Sequence, residues 1–437
     1  MNLEKKNRIL IVGVNTNPTS PVYHEEIAEL VNLCEACDLE VIDTITQNLE
    51  QINPQTYLGK GKLDEIAELI RELQIDVLVF NDELKPLMIA KIQAIVNCEL
   101  YDRTYIILEI FRRRAKTKEA LLQVEIATLR YRLPQLIGLR SYMARQRGTG
   151  SLSHGRGIGE TKLELDKRMI YKRIATAKKE LNALTSLRKQ QRQKRQKQQM
   201  KIVALVGYTN SGKSSTLNAL LKQSVAIKKE VTEKDMLFTT LETATRLIKT
   251  KHNLQFLVTD TVGFISKLPH QLIEAFKSTL EEITEADLIV HVVDGSNPQF
   301  EKQIEVTNTV LSEIGVSNIP MIYAFNKSDL HSDYFYVPFK YEKALRISAI
   351  KNTNIDCLIA LIEEQLFKTN LIVDYKIPFN EGQMMNYLHE NAIILETKQN
   401  ENDYFIKAKV SPLVLEKMKP YEKWPRMRSL FNFKRFL

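Results

Sequence analysis

The chain has 437 residues, 44% hydrophobic and 26% charged, which is the composition of a soluble protein of about two to four domains. No apolar run reaches the roughly eighteen residues of a membrane span, Met1 to Lys6 carries no signal-peptide apolar core, and four cysteines make no disulfide framework. The net charge of +9 is uneven: residues 130–200 hold nineteen Lys and Arg against four Asp and Glu, a local +15 that leaves −6 for the remainder. One strongly basic element on a weakly acidic chain is the footprint of a nucleic-acid partner.

Residues 8–14 read as a buried strand. Helical periodicity follows near 23–36, 62–73 and 85–97, with strand-like runs near 39–45 and 75–80. Alternating strand and helix predicts a small parallel α/β domain over 1–110. Cys34-x-x-Cys37 has no second ligand pair and reads as an ordinary helical pair. Gly59-Lys60-Gly61-Lys62 resembles half a phosphate loop but lacks the preceding strand and the hydroxyl. It is expected to be a turn and a helix start.

The segment 111–199 has almost no strand pattern. Leu122, Ile126, Leu129 and Leu133 form one helical seam; Ile170, Ile174, Ala177, Leu181 and Leu184 form another. Between them, residues 138–160 carry six of the fifteen glycines. An antiparallel helical hairpin with a flexible, glycine-rich tip is predicted. Arg140, Arg145, Arg147, His154 and Arg156 at that tip are the candidate contacts to RNA. The run from Arg188 to Gln199 has no apolar seam and reads as a basic linker.

A nucleotide-binding domain is predicted over 200–370. The apolar run Lys201 to Val206 leads into Gly207-Tyr208-Thr209-Asn210-Ser211-Gly212-Lys213-Ser214-Ser215, a P-loop between a strand and a helix. Its backbone N–H groups suit phosphate, Lys213 suits the β- and γ-phosphates, and Ser214 suits Mg²⁺. Phe238-Thr239-Thr240 offers a threonine to Mg²⁺ and the γ-phosphate, with Thr240 favoured over Thr239. Asp260-Thr261-Val262-Gly263 offers a carboxylate to Mg²⁺ through water and the Gly263 N–H to the γ-phosphate.

Asn326-Lys327-Ser328-Asp329 assigns the base. A carboxylate at Asp329 accepts from guanine N1–H and N2–H₂, which adenine does not offer. Asn326 braces that loop, the Lys327 stem covers the base, and a backbone N–H at Ser348-Ala349 meets guanine O6. These ordered elements point to a Mg²⁺-dependent GTPase binding GTP and GDP. Phe264 stands where many GTPases carry a water-orienting glutamine, so hydrolysis is expected to be slow unaided, with no catalytic residue supplied in cis. Asn210 is the asparagine of GTPases that use K⁺ as a fixed counter-charge, which makes K⁺ a candidate second cation. A small α+β domain is predicted over 371–437. Its tail from Lys419 mixes six basic residues with five aromatics and is open to packing, RNA or a membrane surface.

From about residue 8 to 420 the chain resembles the HflX family of GTPases, relatives of the Obg group. The resemblance rests on Tyr57-Leu58-Gly59-Lys60-Gly61-Lys62, Asp102-Arg103, Leu122-Gln123-Val124-Glu125 and Gly157 to Asp166. In the nucleotide domain it rests on Phe238-Thr239-Thr240-Leu241, on Asp260 to Ile265, and on Leu268-Pro269-His270 through Glu282. Phe264 in place of glutamine is the family's own pattern. The resemblance implies a cytoplasmic, ribosome-associated GTPase whose hairpin tip reaches the peptidyl-transferase centre of the large subunit. Such proteins split stalled ribosomes, are stimulated by them, and in some cases confer antibiotic resistance or bind ATP through the N-terminal part. A monomer is expected, since no patch demands a partner. The family's tip usually reads Gly-Gly-Gly-Ile-Gly-x-Arg-Gly-Pro-Gly-Glu; here Ser151 to Glu160 has lost most of the early glycines, and Ile158 replaces the proline. A remodelling or resistance factor acting at the same centre without splitting is the alternative, and a non-ribosomal GTPase is a third reading.

Overall fold

The structure is a computed structural model that describes residues 7–422, apart from 19, 21, 148–155, 198–199, 226–243, 317, 331–335, 401 and scattered positions between 270 and 281. Of 139–147, 156–163 and 185–197 it describes the backbone alone.

Four parallel strands, β1 (Arg8–Asn15), β2 (Glu40–Asn48), β3 (Val77–Phe80) and β4 (Glu99–Asp102), form the first sheet in the order β2-β1-β3-β4. β1 and β3 are covered on both faces, which is why they read as unbroken apolar runs. The helices α1 (Val22–Glu35), α2 (Lys60–Leu73) and α3 (Pro86–Gln93) connect them. Gly59 caps α2, so the Gly-Lys-Gly-Lys stretch is a helix start. Cys34 and Cys37 are both buried, and Cys37 Sγ donates to the Ile106 carbonyl.

Two elements were not anticipated: β4 and the helix α4 (Arg103–Arg114) that follows it directly. Asp102 ends the strand and caps the helix, accepting from the Tyr105 N–H at 2.9 Å. α4 runs through residue 110, so the expected edge of the first domain falls inside a helix.

The hairpin consists of α5 (Lys118–Arg147) and α6 (Arg156–Lys197). Ion pairs Lys118–Glu180 and Arg173–Glu125 fix the antiparallel register. Leu122, Ile126, Ile174 and Ala177 are buried between the helices, with Leu129, Ile170, Leu181 and Leu184 packed beside them; Leu133 lies outside this cluster. The tip is shorter than the glycine pattern suggested. The backbone is helical to Arg147 and again from Arg156, leaving 148–155 outside the described residues. Gly138 lies within α5, where a Cβ would stand 2.1 Å from Pro86 Cβ. That glycine serves close packing of α5 on α3, not flexibility.

The second sheet has the order β10-β9-β8-β5-β7-β6, with β5 (Lys201–Val206), β6 (Ala244–Lys249), β7 (Gln255–Asp260), β8 (Leu288–Asp294), β9 (Met321–Asn326) and β10 (Ala344–Arg346). All pairs are parallel except β6 with β7. α7 (Lys213–Gln223) leaves the loop after β5. The last sheet, β11 (Leu371–Pro378), β12 (Ile393–Gln399) and β13 (Asp403–Val410), is antiparallel in the order β11-β13-β12. It is a separate α+β layer with its own core of Tyr375, Ile377, Leu388, Ile406 and Met418.

The first and second sheets share one core. Ile9, Ile11, Leu30, Ile107, Phe111 and Tyr131 belong to the same buried cluster as Val206, Tyr208, Phe264, Phe276 and Ile289. Phe111 and Phe276 meet edge to face, 5.0 Å between centroids.

Candidate nucleotide site

Residues 207–212 form a loop between β5 and α7, with Gly212 as the N-cap residue at φ 91. The α7 N-terminus therefore opens onto the loop, and its first N–H groups, which have no carbonyl one turn back within the helix, favour an anion there. Lys213 is buried, and its Nζ donates to the carbonyls of Tyr208 at 2.8 Å and Gly207 at 3.2 Å. Burial lowers its ammonium to about 8, against the opposing pull of Asp260. The Ser214 hydroxyl donates to Asp260 Oδ2 at 2.6 Å. A hydroxyl and a carboxylate converging beside a phosphate-binding loop are the hard oxygen donors that Mg²⁺ prefers, so these residues fit that ion. Ser215 follows in the first turn of α7. Thr261 turns its hydroxyl to the Leu205 carbonyl at 2.7 Å, tying the end of β7 to β5.

The residues expected to meet the base come together with the P-loop. Asn326 is buried; its Nδ2 donates to the Ser211 carbonyl at 2.9 Å, and its Oδ1 accepts from the Ala349 N–H at 3.0 Å. One asparagine thus ties the P-loop to both base loops. The Ala349 N–H expected at guanine O6 is engaged by Asn326 in this structure. Asp329 Oδ1 accepts from the Ser348 hydroxyl at 2.6 Å, which aims the carboxylate. Lys327 holds a left-handed φ of 61, and its Nζ donates to Asp294 Oδ2 at 2.7 Å. A cleft of about 260 Å³ runs from Thr209 and Asn210 to α1. A larger cleft of about 610 Å³ lies at Lys201, Asn253, Tyr387 and Leu413, away from all these groups, and chemistry places the site at the P-loop.

Phe264 is 2% exposed and lies in the shared core, where a glutamine could not serve water. Its N–H donates to the Gly207 carbonyl at 3.1 Å, and the Thr209 N–H donates to its carbonyl at 2.6 Å. The segment after β7 is stitched to the P-loop as a short parallel bridge. At Gly263 a Cβ would stand 2.8 Å from Thr209 Cα and 3.0 Å from Lys213 Nζ, so only glycine permits this approach. Val262 packs into the same core.

Behind that bridge lies a cluster of residues far apart in the chain. Arg103, 2% exposed, sits 3.0 Å from Glu29 and donates to Ser266 Oγ at 3.1 Å. The Tyr208 hydroxyl accepts from the Ser266 N–H at 2.7 Å and meets Glu29 at 2.9 Å. Lys267 bridges Asp82 at 2.7 Å and Glu26 at 2.8 Å. Adjacent Asp and Arg residues at the end of a strand were the only available signal. Phe238, Thr239, Thr240 and His154 lie outside the described residues. Arg140, Arg145 and Arg147 lie on the last turns of α5, and Arg156 opens α6.

His291 on β8 is 1% exposed, with Nδ1 unpartnered. Burial, then the Lys213 charge, lowers its pKa to about 3. The unfolded chain takes up this proton near pH 6.5 while the folded chain does not, so stability falls as pH drops from 6.5 toward 3. The expected loss is about 1.4 kcal/mol per pH unit. Urea unfolding of His291→Asn between pH 6 and 4.5 should show a shallower acid slope than the unsubstituted protein. Parallel slopes would contradict the assignment.

Three families match in chain order: "GTP-binding GTPase N-terminal" over residues 24–112, "GTP-binding GTPase Middle Region" over 114–195, and "50S ribosome-binding GTPase" over 202–327. The GTPase HflX of Caldanaerobacter subterraneus is 39% identical over 416 residues, 95% of this chain and 94% of that protein. The GTPase HflX of Flavobacterium psychrophilum is 42% identical over 332 residues, 76% of this chain and 77% of that one. A GTP-binding protein from Sulfolobus solfataricus, solved with GDP, is 25% identical over 83% of this chain and 99% of that one, with a TM-score of 0.42. The 39% identity to the Caldanaerobacter protein over nearly the whole of both chains, with the GTPase family match over 202–327, shows that the chain belongs to the HflX family and is a GTP-hydrolysing enzyme.

Proposed function

We propose that this GTPase binds the large ribosomal subunit through its hairpin tip and, in the triphosphate state, splits stalled ribosomes into subunits. The observation that carries the reading is the pairing of a basic hairpin with a nucleotide site whose water-orienting position is filled by a buried phenylalanine. Hydrolysis then waits for a group supplied from outside, and a ribosome bound at the hairpin supplies it. Binding energy drives splitting, and hydrolysis releases the factor.

In this reading the P-loop backbone, Lys213 and Gly263 hold the phosphates. Ser214, Asp260 and Thr240 would hold Mg²⁺, which would supply positive charge against that developing on the phosphates. Asn326, Lys327, Asp329, Ser348 and Ala349 hold the base, and Asn210 beside the phosphates is the residue for a K⁺ ion. The changed tip, with Ile158 in place of the proline usual in the pattern it resembles, favours a second reading as a remodelling or resistance factor at the same ribosomal centre.

Replacing Arg145, Arg147 and Arg156 with alanine tests the hairpin's part. The ratio of ribosome-stimulated to unstimulated hydrolysis should collapse toward one, and affinity for ribosomal RNA should lose part of its steep salt dependence. An unchanged ratio would remove the tip from the account.

A further inference from the structure

Asp102 and Arg103 are neighbours in sequence but grip different parts of the molecule. Arg103 leaves the carboxyl end of the first sheet and reaches Ser266, in the segment that follows the Mg²⁺ and γ-phosphate residues Asp260 to Gly263. Its other contacts, Asn81 Oδ1 at 3.1 Å, the Glu26 carbonyl at 3.2 Å and Glu29 at 3.0 Å, hold the guanidinium rigidly. Asp102, 1% exposed, accepts at 2.8 Å from the hydroxyl of Tyr131, which lies on the hairpin helix α5. It also accepts from the Leu84 N–H at 3.0 Å. No covalent slack separates the two grips: one residue ends β4 and the next begins α4.

We propose that Asp102-Arg103 is a relay that couples the position of residues 262–267 to the set of the hairpin. Arg103 positions Ser266, and Asp102 positions α5 through Tyr131. Segments after the strand that ends in the Mg²⁺ carboxylate change order with the γ-phosphate. Here such a change cannot occur without disturbing two hydrogen bonds of Ser266, a buried one from its N–H to Tyr208 and a partly buried one from its hydroxyl to Glu29. It also strains the Lys267 bridge to Asp82 and Glu26. Lys267 holds a left-handed φ of 56, a backbone state that persists only while its surroundings enforce it. Packing carries the same motion: Phe276 lies on Phe111 of α4, and Glu274 pairs with Arg130, one residue before Tyr131. Coupling of this kind is reciprocal, so whatever binds the hairpin also shifts the nucleotide preference. Asp102 and Arg103 touch no nucleotide in this scheme; they are positioning residues.

The relay rests on the reading of 260–267 as the segment that answers the γ-phosphate, and its test needs no ribosome. Hydrogen exchange of the full chain is compared with GDP and with a non-hydrolysable GTP analogue, following peptides over 262–267 and 118–135. In the unsubstituted protein both peptides should change between the two nucleotides. Tyr131→Phe, which removes one hydroxyl, should keep the response at 262–267 and lose at least half of it at 118–135. Lys267→Ala should weaken both responses. A purely structural role for Tyr131 would shift exchange equally in the two nucleotide states and leave their difference intact; that result overturns the relay. Silence at 262–267 with nucleotide bound overturns it too, and sinks the reading of the site with it. A response at 262–267 with an indifferent hairpin sinks the relay alone.

Discussion

Asp329→Asn should lower GTP affinity by on the order of 100-fold or more, while xanthosine triphosphate becomes the better ligand. A carboxylate presents two acceptors to guanine N1–H and N2–H₂. An asparagine presents one acceptor and one donor, so one guanine contact becomes donor against donor. Hydrogen bonds to charged groups contribute roughly 1.5–3 kcal/mol each, and a mismatched buried donor adds its own penalty. Xanthine carries a carbonyl where guanine carries the amino group, and the asparagine donor then finds an acceptor. The Ser348 hydroxyl 2.6 Å from Asp329 Oδ1 holds the side chain in place, so the substitution should change the pairing without collapsing the loop. Competition binding with the four purine triphosphates measures it. Unchanged guanine preference would mean that another residue reads the base.

Lys213→Ala should remove measurable GTP and GDP binding, a loss of at least about 100-fold from charge-assisted bonds to two phosphates. The lysine is buried and turned onto the Gly207 and Tyr208 carbonyls, at 3.2 and 2.8 Å. It is thus already inside the loop that would wrap the phosphates. Alanine preserves α7 but deletes the only lysine of the P-loop. Equilibrium binding of a fluorescent GDP derivative reads the loss directly. Affinity within a few-fold of the unsubstituted protein would contradict the assignment of this loop to phosphate.

Strong periodicity and loop chemistry were legible. The run at Lys201 to Val206 is apolar because β5 is buried on both faces, Val203 and Leu205 in one core and Ala204 and Val206 in the other, and the seam residues Leu122, Ile126, Ile174 and Ala177 repeat at helical spacing because two helices bury them. Glycine alone does not distinguish a flexible tip from close packing, and Gly138 marks close packing on Pro86. β4 is only four residues, half of them polar, and its continuation into α4 without a turn left no punctuation to read. The coupling of Glu29, Arg103, Tyr208 and Ser266 was invisible for a different reason. These residues lie up to 237 positions apart, and no local rule pairs a P-loop tyrosine with a glutamate on a helix of another sheet. The His291 environment was equally hidden, since a histidine inside an apolar strand reads like any other inward position.

In the proposed scheme the triphosphate state, not its hydrolysis, drives action on the ribosome. Intact ribosomes incubated with the protein and a non-hydrolysable GTP analogue, then sedimented on a gradient, test it most directly. Free subunits, with the protein on the large one, are the predicted result. Ribosomes that stay intact with the analogue yet come apart with GTP would contradict it, because splitting would then be driven by hydrolysis.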